Sequence, residues 1–198
     1  MNRLGGILVR IATDLEQLEV PWALVGAMAM TARAIARATA DVDIAVSVRP
    51  DSRVEVLVRT LFDRGYQQHS VLERKTVRQI RGIRLICPGY TSEGGLVDLL
   101  SAVCGIEPEI IRAAEELEVL RGLTVPVATT GHLLAMKVLA WRDQDRADVN
   151  HLLAAASPAD LTQAFDALDL ISRRGFDGGV DLIPRFQLAL ARFERGEI

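Results

Sequence analysis

The stretch Ala40-Asp41-Val42-Asp43-Ile44-Ala45-Val46 is rich in strand-forming residues and carries two aspartates at its leading end. Side chains on a strand alternate between faces, so residues two apart point the same way. Asp41 and Asp43 therefore share one face, and Val42, Ile44, Val46 and Val48 line the other. Two like charges held side by side are unfavourable unless a cation sits between them. The rest of the chain must supply a reason for the pair.

At 198 residues the chain is long enough for a substantial core, and with 49% apolar and 25% charged residues it has an ordinary globular composition. A formal charge of −3 gives no global attraction to nucleic acid or anionic lipid, so any such contact needs a local patch. Cys87 and Cys104 are too few for a disulfide scaffold, and no secretory signal opens the chain. The run from Ile7 to Ile11 is broken by Arg10, well short of membrane-spanning length. A cytoplasmic protein without membrane contact is the expectation.

Periodicity divides the chain into an α/β front and a helical back, with a boundary near residue 125, giving domains 1–125 and 126–198. Leu4, Ile7, Leu8, Ile11, Leu15 and Leu18 recur at helical spacing, so residues 4–19 read as a helix stopped before Pro21. A short strand, Trp22 to Val25, runs into Gly26, and Ala27 to Ala36 favours helix. The aspartate strand spans 41–48, and Pro50-Asp51-Ser52 opens a helix that Gly65 ends. Extended segments follow at 66–72, 76–86 and 95–103, then a helix at 108–116. Residues 117–125 fit either a hairpin turning at Arg121-Gly122 or a helix ending at Gly122. Beyond Pro126, Thr130 is placed as the cap of one long helix, Gly131 to Ala155. Ser157-Pro158-Ala159-Asp160 has capping-box form, and a last helix carries Phe186, Leu188, Leu190 and Phe193.

A third carboxylate, Asp98, interrupts the apolar run Leu96-Val97-Asp98-Leu99-Leu100, where a free charge is expensive. It either ends that strand or joins Asp41 and Asp43. Three aspartates on neighbouring strands suit a hard divalent cation, which takes oxygen ligands beside a phosphate. Gly26-Ala27, between strand and helix, offers backbone N–H groups to an anion. Arg33 and Arg37, four apart, fall on one side of the helix that follows. Each feature alone has a plain packing explanation; their crowding into twenty residues favours a phosphate site.

The run Leu24-Val25-Gly26-Ala27, then Arg37-Ala38-Thr39-Ala40-Asp41-Val42-Asp43-Ile44, resembles the signature of the polymerase-β-like nucleotidyltransferase superfamily. In that signature an apolar strand, a small-residue turn and a helix precede Arg-x-Thr-x-Asp-x-Asp-Ile, and Asp98 matches its third carboxylate. The stretch from Lys137 through Arg142 and Asp145 to Asp148 is similar to the later segment of bacterial abortive-infection and toxin–antitoxin nucleotidyltransferases. The resemblance covers residues 22–48, 94–100 and 130–153. It departs at Ala27, which stands where that family has Ser or Gly and lacks a hydroxyl.

This resemblance implies a mixed sheet flanked by helices, an α/β (α+β) fold, followed by a C-terminal helical region. It implies transfer of a nucleoside monophosphate from a nucleoside triphosphate to an acceptor hydroxyl. Asp41, Asp43 and Asp98 would be catalytic and would hold Mg²⁺ (or Mn²⁺). Gly26, Ala27, Arg37, Thr39, Lys137 and Arg142 would bind the nucleotide, and Asp145 and Asp148 would support them. The implied partners are an acceptor RNA (tRNA) or protein and an antitoxin; oligomeric state is left open.

Placed on one helix, Leu134, Val138, Trp141, Val149 and Leu152 form an apolar arc that also contains Lys137, Asp145 and Asp148, with Arg142 at its edge. Charges on a buried side need partners, so a Lys137–Asp148 ion pair is expected whether or not Lys137 also reaches phosphates. Arg74, Lys75, Arg78, Arg81 and Arg84 form a basic stretch, read as a solvated edge strand or as an acceptor path. His69, His132 and His151 lack zinc spacing and read as packing or surface residues. Two other functions stay open: a nucleotide-binding regulatory module without turnover, favoured by Ala27, and an antibiotic-type nucleotidyltransferase acting on a small molecule.

Overall fold

The computed structural model describes residues 2–47, 51–74 and 79–197, and the side chains of 51, 52, 73, 74 and 79–81 lie outside that description. Val48, Pro50, Lys75 and Arg78, named above, therefore lie outside the described residues, as do the side chains of Arg74 and Arg81. The elements run α1 (Arg3–Gln17), β1 (Trp22–Leu24), α2 (Gly26–Arg33), β2 (Asp41–Val46), α3 (Asp51–Asp63), β3 (Gln67–Arg74), β4 (Gln79–Ile86) and β5 (Leu96–Leu100). They continue with α4 (Glu107–Arg112), β6 (Glu115–Leu120), β7 (Leu123–Val127), α5 (Thr130–Ala140), α6 (Asp143–Ala155), α7 (Pro158–Arg173) and α8 (Leu182–Glu194). The fold is a mixed α/β one, with helices flanking a single sheet and a helical segment after it.

The sheet has seven strands in the order β3-β4-β5-β2-β1-β7-β6. Strand β2 sits at its centre, antiparallel to β1 and parallel to β5, and β5 is in turn antiparallel to β4. Val42, Ile44, Ala45 and Val46 are fully or almost fully buried, which is why this strand takes the centre. Helix α1 begins at Asn2, whose Oδ1 accepts the Gly5 N–H at 2.9 Å, and buries Ile7, Leu8, Ile11 and Leu15. Asp14 on the same helix accepts hydrogen bonds from Arg10, Arg64 and the Tyr66 hydroxyl, tying α1 to the end of α3 and the start of β3.

Residues 117–125 form a hairpin: β6 and β7 pair antiparallel, and Gly122 (φ 75°) turns the chain while its N–H donates to Glu118. The helix expected at 108–116 ends at Arg112, because Glu115 and Glu116 belong to β6. β7 also pairs in parallel with β1, so the hairpin extends the sheet. The arginines at 33 and 37 are not helical neighbours, since α2 ends at Arg33. Arg33 instead donates to the Val127 and Ala128 carbonyls and pairs with Glu115, clamping α2 to the hairpin.

The long helix expected from 131 to 155 is two helices, capped by Thr129 rather than Thr130. Trp141 adopts a left-handed conformation (φ 52°, ψ 29°), and Arg142 is extended before α6 starts. Asp145 stabilises this second start by accepting the Arg142 N–H at 3.1 Å. A left-handed tryptophan is unfavourable by about 1 kcal/mol or more, and neither Gly nor Pro marks the break in the sequence. α7 begins with the capping box read from the sequence: Ser157 Oγ accepts the Asp160 N–H and Asp160 accepts the Ser157 N–H.

His132, on the first turn of α5, is 5% exposed and hydrogen-bonds Thr129, which in turn reaches Gln163 of α7. Desolvation pushes the imidazole down to about 4 from its ordinary 6.5, with Glu109 opposing weakly. Between these values the unfolded chain takes up a proton that the native chain refuses. The contribution is thus fully present above pH 6.5 and is lost as pH falls towards 4, by roughly 1.4 kcal/mol per unit. Chemical denaturation of the parent chain and of His132→Leu from pH 7 to pH 4.5 should show this slope in the difference between the two, the parent losing stability relative to the variant as pH falls.

Candidate active site

β2, β5 and β4 lie side by side in register, with Asp43 opposite Asp98 and Asp98 opposite Arg84. Residues directly opposite across paired strands share a face. Asp41, two before Asp43, is on that face too. The aspartate pair, the third carboxylate and one arginine are therefore brought together by strand register alone.

Arg84 is the residue that the sequence left unassigned here. It lies on β4, an interior strand, and not on the solvated edge expected for the basic stretch; β3 is the edge. Its Nε donates to Asp98 Oδ1 at 2.6 Å and its Nη2 to Asp98 Oδ2 at 2.7 Å, a bidentate pair. The same Nη2 reaches Asp41 Oδ2 at 2.9 Å. These carboxylates push the guanidinium pKa further up, against the opposing effect of burial. The spacing of Arg84 and Asp98 on two antiparallel strands was the available signal, but it needs the register of β4 on β5 to be read.

Asp43 has no such partner in the bridge. Burial, and then the charges of Asp41 and Asp98, push its carboxyl up to about 7, while Lys137 and Arg84 pull the other way. Gly26 makes this placement feasible. Its backbone has φ 64°, and a Cβ there would overlap the Asp43 carboxylate. Gly26 and Ala27 open α2 at this point, so the first turn of the helix starts against the carboxylates. Thr39 Oγ1 donates to Asp41 Oδ1 at 2.9 Å, holding that carboxylate from the far side.

A second charged group faces the first. Lys137 of α5 is 8% exposed, and its Nζ lies 3.0 Å from Asp145 Oδ1 and 2.7 Å from Asp148 Oδ2, both on α6. The expected Lys137–Asp148 pair is thus present. It forms between two helices packed together, not along one face of a single helix. Arg37 also pairs with Asp148 Oδ2, and Arg142 Nε donates to Asp145 Oδ2 at 2.6 Å. Burial pushes Asp145 up, but hydrogen bonds from Arg142 and Lys137 outweigh it, and the net shift is downward.

Both groups contribute to one cleft of about 910 Å³, lined also by Gly26, Ala27, Thr39, Trp141, Val180 and Arg185. Of the residues read from the sequence as site members, Asp148 stands behind the wall rather than in it, and Arg33 is engaged by the hairpin instead. As they stand, no three acidic, histidine or cysteine side chains among the described residues are arranged to hold a metal ion. The Arg84 guanidinium already spans Asp41 and Asp98. The donor set itself, three carboxylates with one uncompensated, is chemically suited to a hard divalent cation. Cys87 and Cys104 are buried and are not joined in a disulfide, and no described helix is long and apolar enough to cross a membrane.

A central strand with Asp-x-Asp, a facing aspartate on the parallel neighbour and a glycine turn opening the preceding helix define a nucleotidyltransferase. The chain belongs to the family described as the nucleotidyl transferase AbiEii toxin of type IV toxin–antitoxin systems, whose match spans residues 7–196. No curated protein matches it significantly in sequence. Among solved structures it is similar to the antibiotic-resistance factor ANT(2'')-Ia, at 16% identity, covering 97% of this chain and 91% of that one, with a TM-score of 0.48. A nucleotidyltransferase-like antigen from Paracoccidioides brasiliensis is 20% identical over 93% and 91% of the two chains, with a TM-score of 0.49. The lincosamide adenylyltransferase LnuA is 14% identical over 76% and 97%, with a TM-score of 0.44. At these values the likenesses carry no inference about substrate.

Asp43 holds a proton up to about pH 7 in the folded chain, whereas unfolded it releases it near 3.8. Its contribution therefore has the opposite sign to that of His132: stability is lost as pH rises from 3.8 to about 7, by at most roughly 1.4 kcal/mol per unit. Asp43→Asn should melt higher than the parent chain at pH 8 without metal, and the difference should shrink towards pH 4. An Asp43→Asn chain that melts lower than its parent at pH 8 would contradict this account of the carboxylate cluster.

Proposed function

We propose that the chain is a divalent-metal-dependent nucleotidyltransferase toxin that moves a nucleoside monophosphate from a nucleoside triphosphate onto a hydroxyl of RNA or protein, with an antitoxin as partner. The observation that carries the reading is the in-register row Asp43–Asp98 with Asp41 beside it, under a cleft of the size that encloses a nucleotide.

Asp41, Asp43 and Asp98 would hold Mg²⁺ (or Mn²⁺), which offsets charge on the entering and leaving oxygens when bound. Arg84 competes for the same oxygens, so its guanidinium must give up Asp41 and Asp98 for these carboxylates to serve as ligands. The backbone N–H groups at Gly26-Ala27 face the phosphates, and Thr39 keeps Asp41 in position. Lys137, Arg37 and Arg142 supply positive charge from the helical side, with Asp145 and Asp148 fixing their directions. The acceptor oxygen bonds to the α-phosphorus, its proton passes to Asp98, and the bond to the β-phosphate oxygen breaks to release pyrophosphate. Residues 1–125 would carry the carboxylates and 126–198 would close the cleft from the opposite side.

Each α-labelled nucleoside triphosphate is incubated with Mg²⁺, a whole-cell extract and either the parent chain or Asp43→Asn. Label is expected to reach RNA or protein with the parent chain and to be lost in the variant by at least about a hundredfold. Undiminished labelling by Asp43→Asn would sink the assignment. In parallel, Mg²⁺ supplied together with ATP at pH 8 should raise the melting temperature of the parent chain more than that of Asp43→Asn; an equal rise in both would place the metal elsewhere.

A further inference from the structure

Part of the cleft wall has a different character from the aspartate row. It includes Leu139, Ala140, Trp141 and Val180, with Arg185 of α8 and Asp177 among the same lining residues. The Arg185 guanidinium lies over the Trp141 ring, 5.2 Å from its centroid, and its Nη1 donates to the Val138 carbonyl at 3.0 Å. Among the described residues no carboxylate forms a salt bridge with Arg185, unlike Arg37, Arg84, Lys137 and Arg142. Its hydrogen bond to a main-chain carbonyl instead holds the guanidinium over the indole ring.

Trp141 itself is half-buried and is one of two non-glycine residues with positive φ among those described. Glycine or asparagine would make the same turn between α5 and α6 with less strain. The ring packs partly against the core, and a bulky aromatic side chain in such a conformation on the wall of the cleft is the kind of outlier that points to a functional role. The position also follows Lys137 by one helical turn and directly precedes Arg142. The ring therefore stands next to the cations assigned to the phosphates, within the reach of a single nucleotide.

We propose that Trp141, braced by Arg185, is the platform on which the base of the bound nucleoside triphosphate stacks, so that it sets nucleotide affinity. This rests on the nucleotidyltransferase reading of the cleft. Every base has a flat π-face, so stacking gives affinity with little choice among bases, and the larger purines gain most. The phosphates would lie towards Lys137 and the aspartates and the base towards α8, orienting the nucleotide along the cleft.

The chain has two tryptophans, and Trp22 is buried in β1, so Trp22→Phe leaves Trp141 as the sole indole. In that background ATP, CTP and inorganic tripolyphosphate are titrated with Mg²⁺, following fluorescence and, separately, heat. ATP is expected to quench and to bind at least about tenfold more tightly than tripolyphosphate. CTP should fall between them, and tripolyphosphate should bind without quenching. Trp141→Gly, which suits the left-handed backbone, should lower ATP affinity to that of tripolyphosphate while leaving tripolyphosphate binding intact, and Trp141→Phe should restore most of the difference.

Equal affinity for ATP and tripolyphosphate in the parent chain, or unchanged ATP affinity in Trp141→Gly, overturns the proposal and leaves the phosphate site standing. Unchanged ATP affinity combined with lost transfer in Trp141→Gly also overturns it, and assigns the ring to the acceptor. Binding of neither ligand overturns the nucleotidyltransferase reading together with this one.

Discussion

The bridge from Arg84 to Asp98 and Asp41 is the interaction on which the site depends. Strand register sets Asp43 directly against Asp98, and Asp41 is on the same face, so three carboxylates meet at the middle of the sheet. One guanidinium compensates two of them. The third, Asp43, is left with a carboxyl raised to about 7, the direct sign that one more cation or proton is wanted. Gly26 permits the arrangement from the other side, since any side chain there would occupy the space of the Asp43 carboxylate. A stable core beneath, with Val42, Ile44 and Val97 fully buried, holds the strands against the repulsion.

The Lys137 group solves a different problem. A buried ammonium is expensive unless its partners are well placed, and here Asp145 and Asp148 both reach it. They can do so because α5 and α6 are separate helices packed together, which a continuous helix would not allow. The left-handed turn at Trp141 is thus the structural condition for the ion cluster, and Arg142, capped by Asp145, anchors the restart. Arg37, in the loop leading to β2, pairs with Asp148 as well. The loop before the aspartate strand and the helical half of the chain are thereby joined through one buried carboxylate.

Local signals in the sequence were sufficient for most elements and for most of the residues that the fold gathers around the cleft. Alternation marked β2, helical spacing marked α1, and the capping box at Ser157 fell where it was read. What escaped depended on partners distant in the chain. Arg84 was visible only as one basic residue in a basic stretch, because its role comes from β4 pairing with β5. The pairing of β7 with β1, which brings the hairpin into the sheet, likewise has no local signature. The break at Trp141 escaped for another reason: Gly and Pro announce such turns, whereas a tryptophan held there by surrounding contacts does not. Thr129 and Thr130 are equivalent as caps by composition, and only the geometry that lets Thr129 accept the His132 N–H separates them.

The charges in the cleft also constrain what can fill it. Its cations near the aspartates are all engaged with carboxylates, so a bare phosphate entering there finds each donor already shared, and a bare metal finds Arg84 in the way. A ligand that carries both signs meets neither obstacle. Its cation can take Asp41, Asp43 and Asp98 while its anionic part receives the guanidinium that they release, so that each side of the Arg84 bridge is exchanged for a partner of the same sign. A metal–triphosphate complex has that composition. Burial first, and then repulsion from Asp41 and Asp98, keeps Asp43 protonated, and the same exchange would offset the second of these. On the proposed reading, metal and nucleotide would enter together rather than singly.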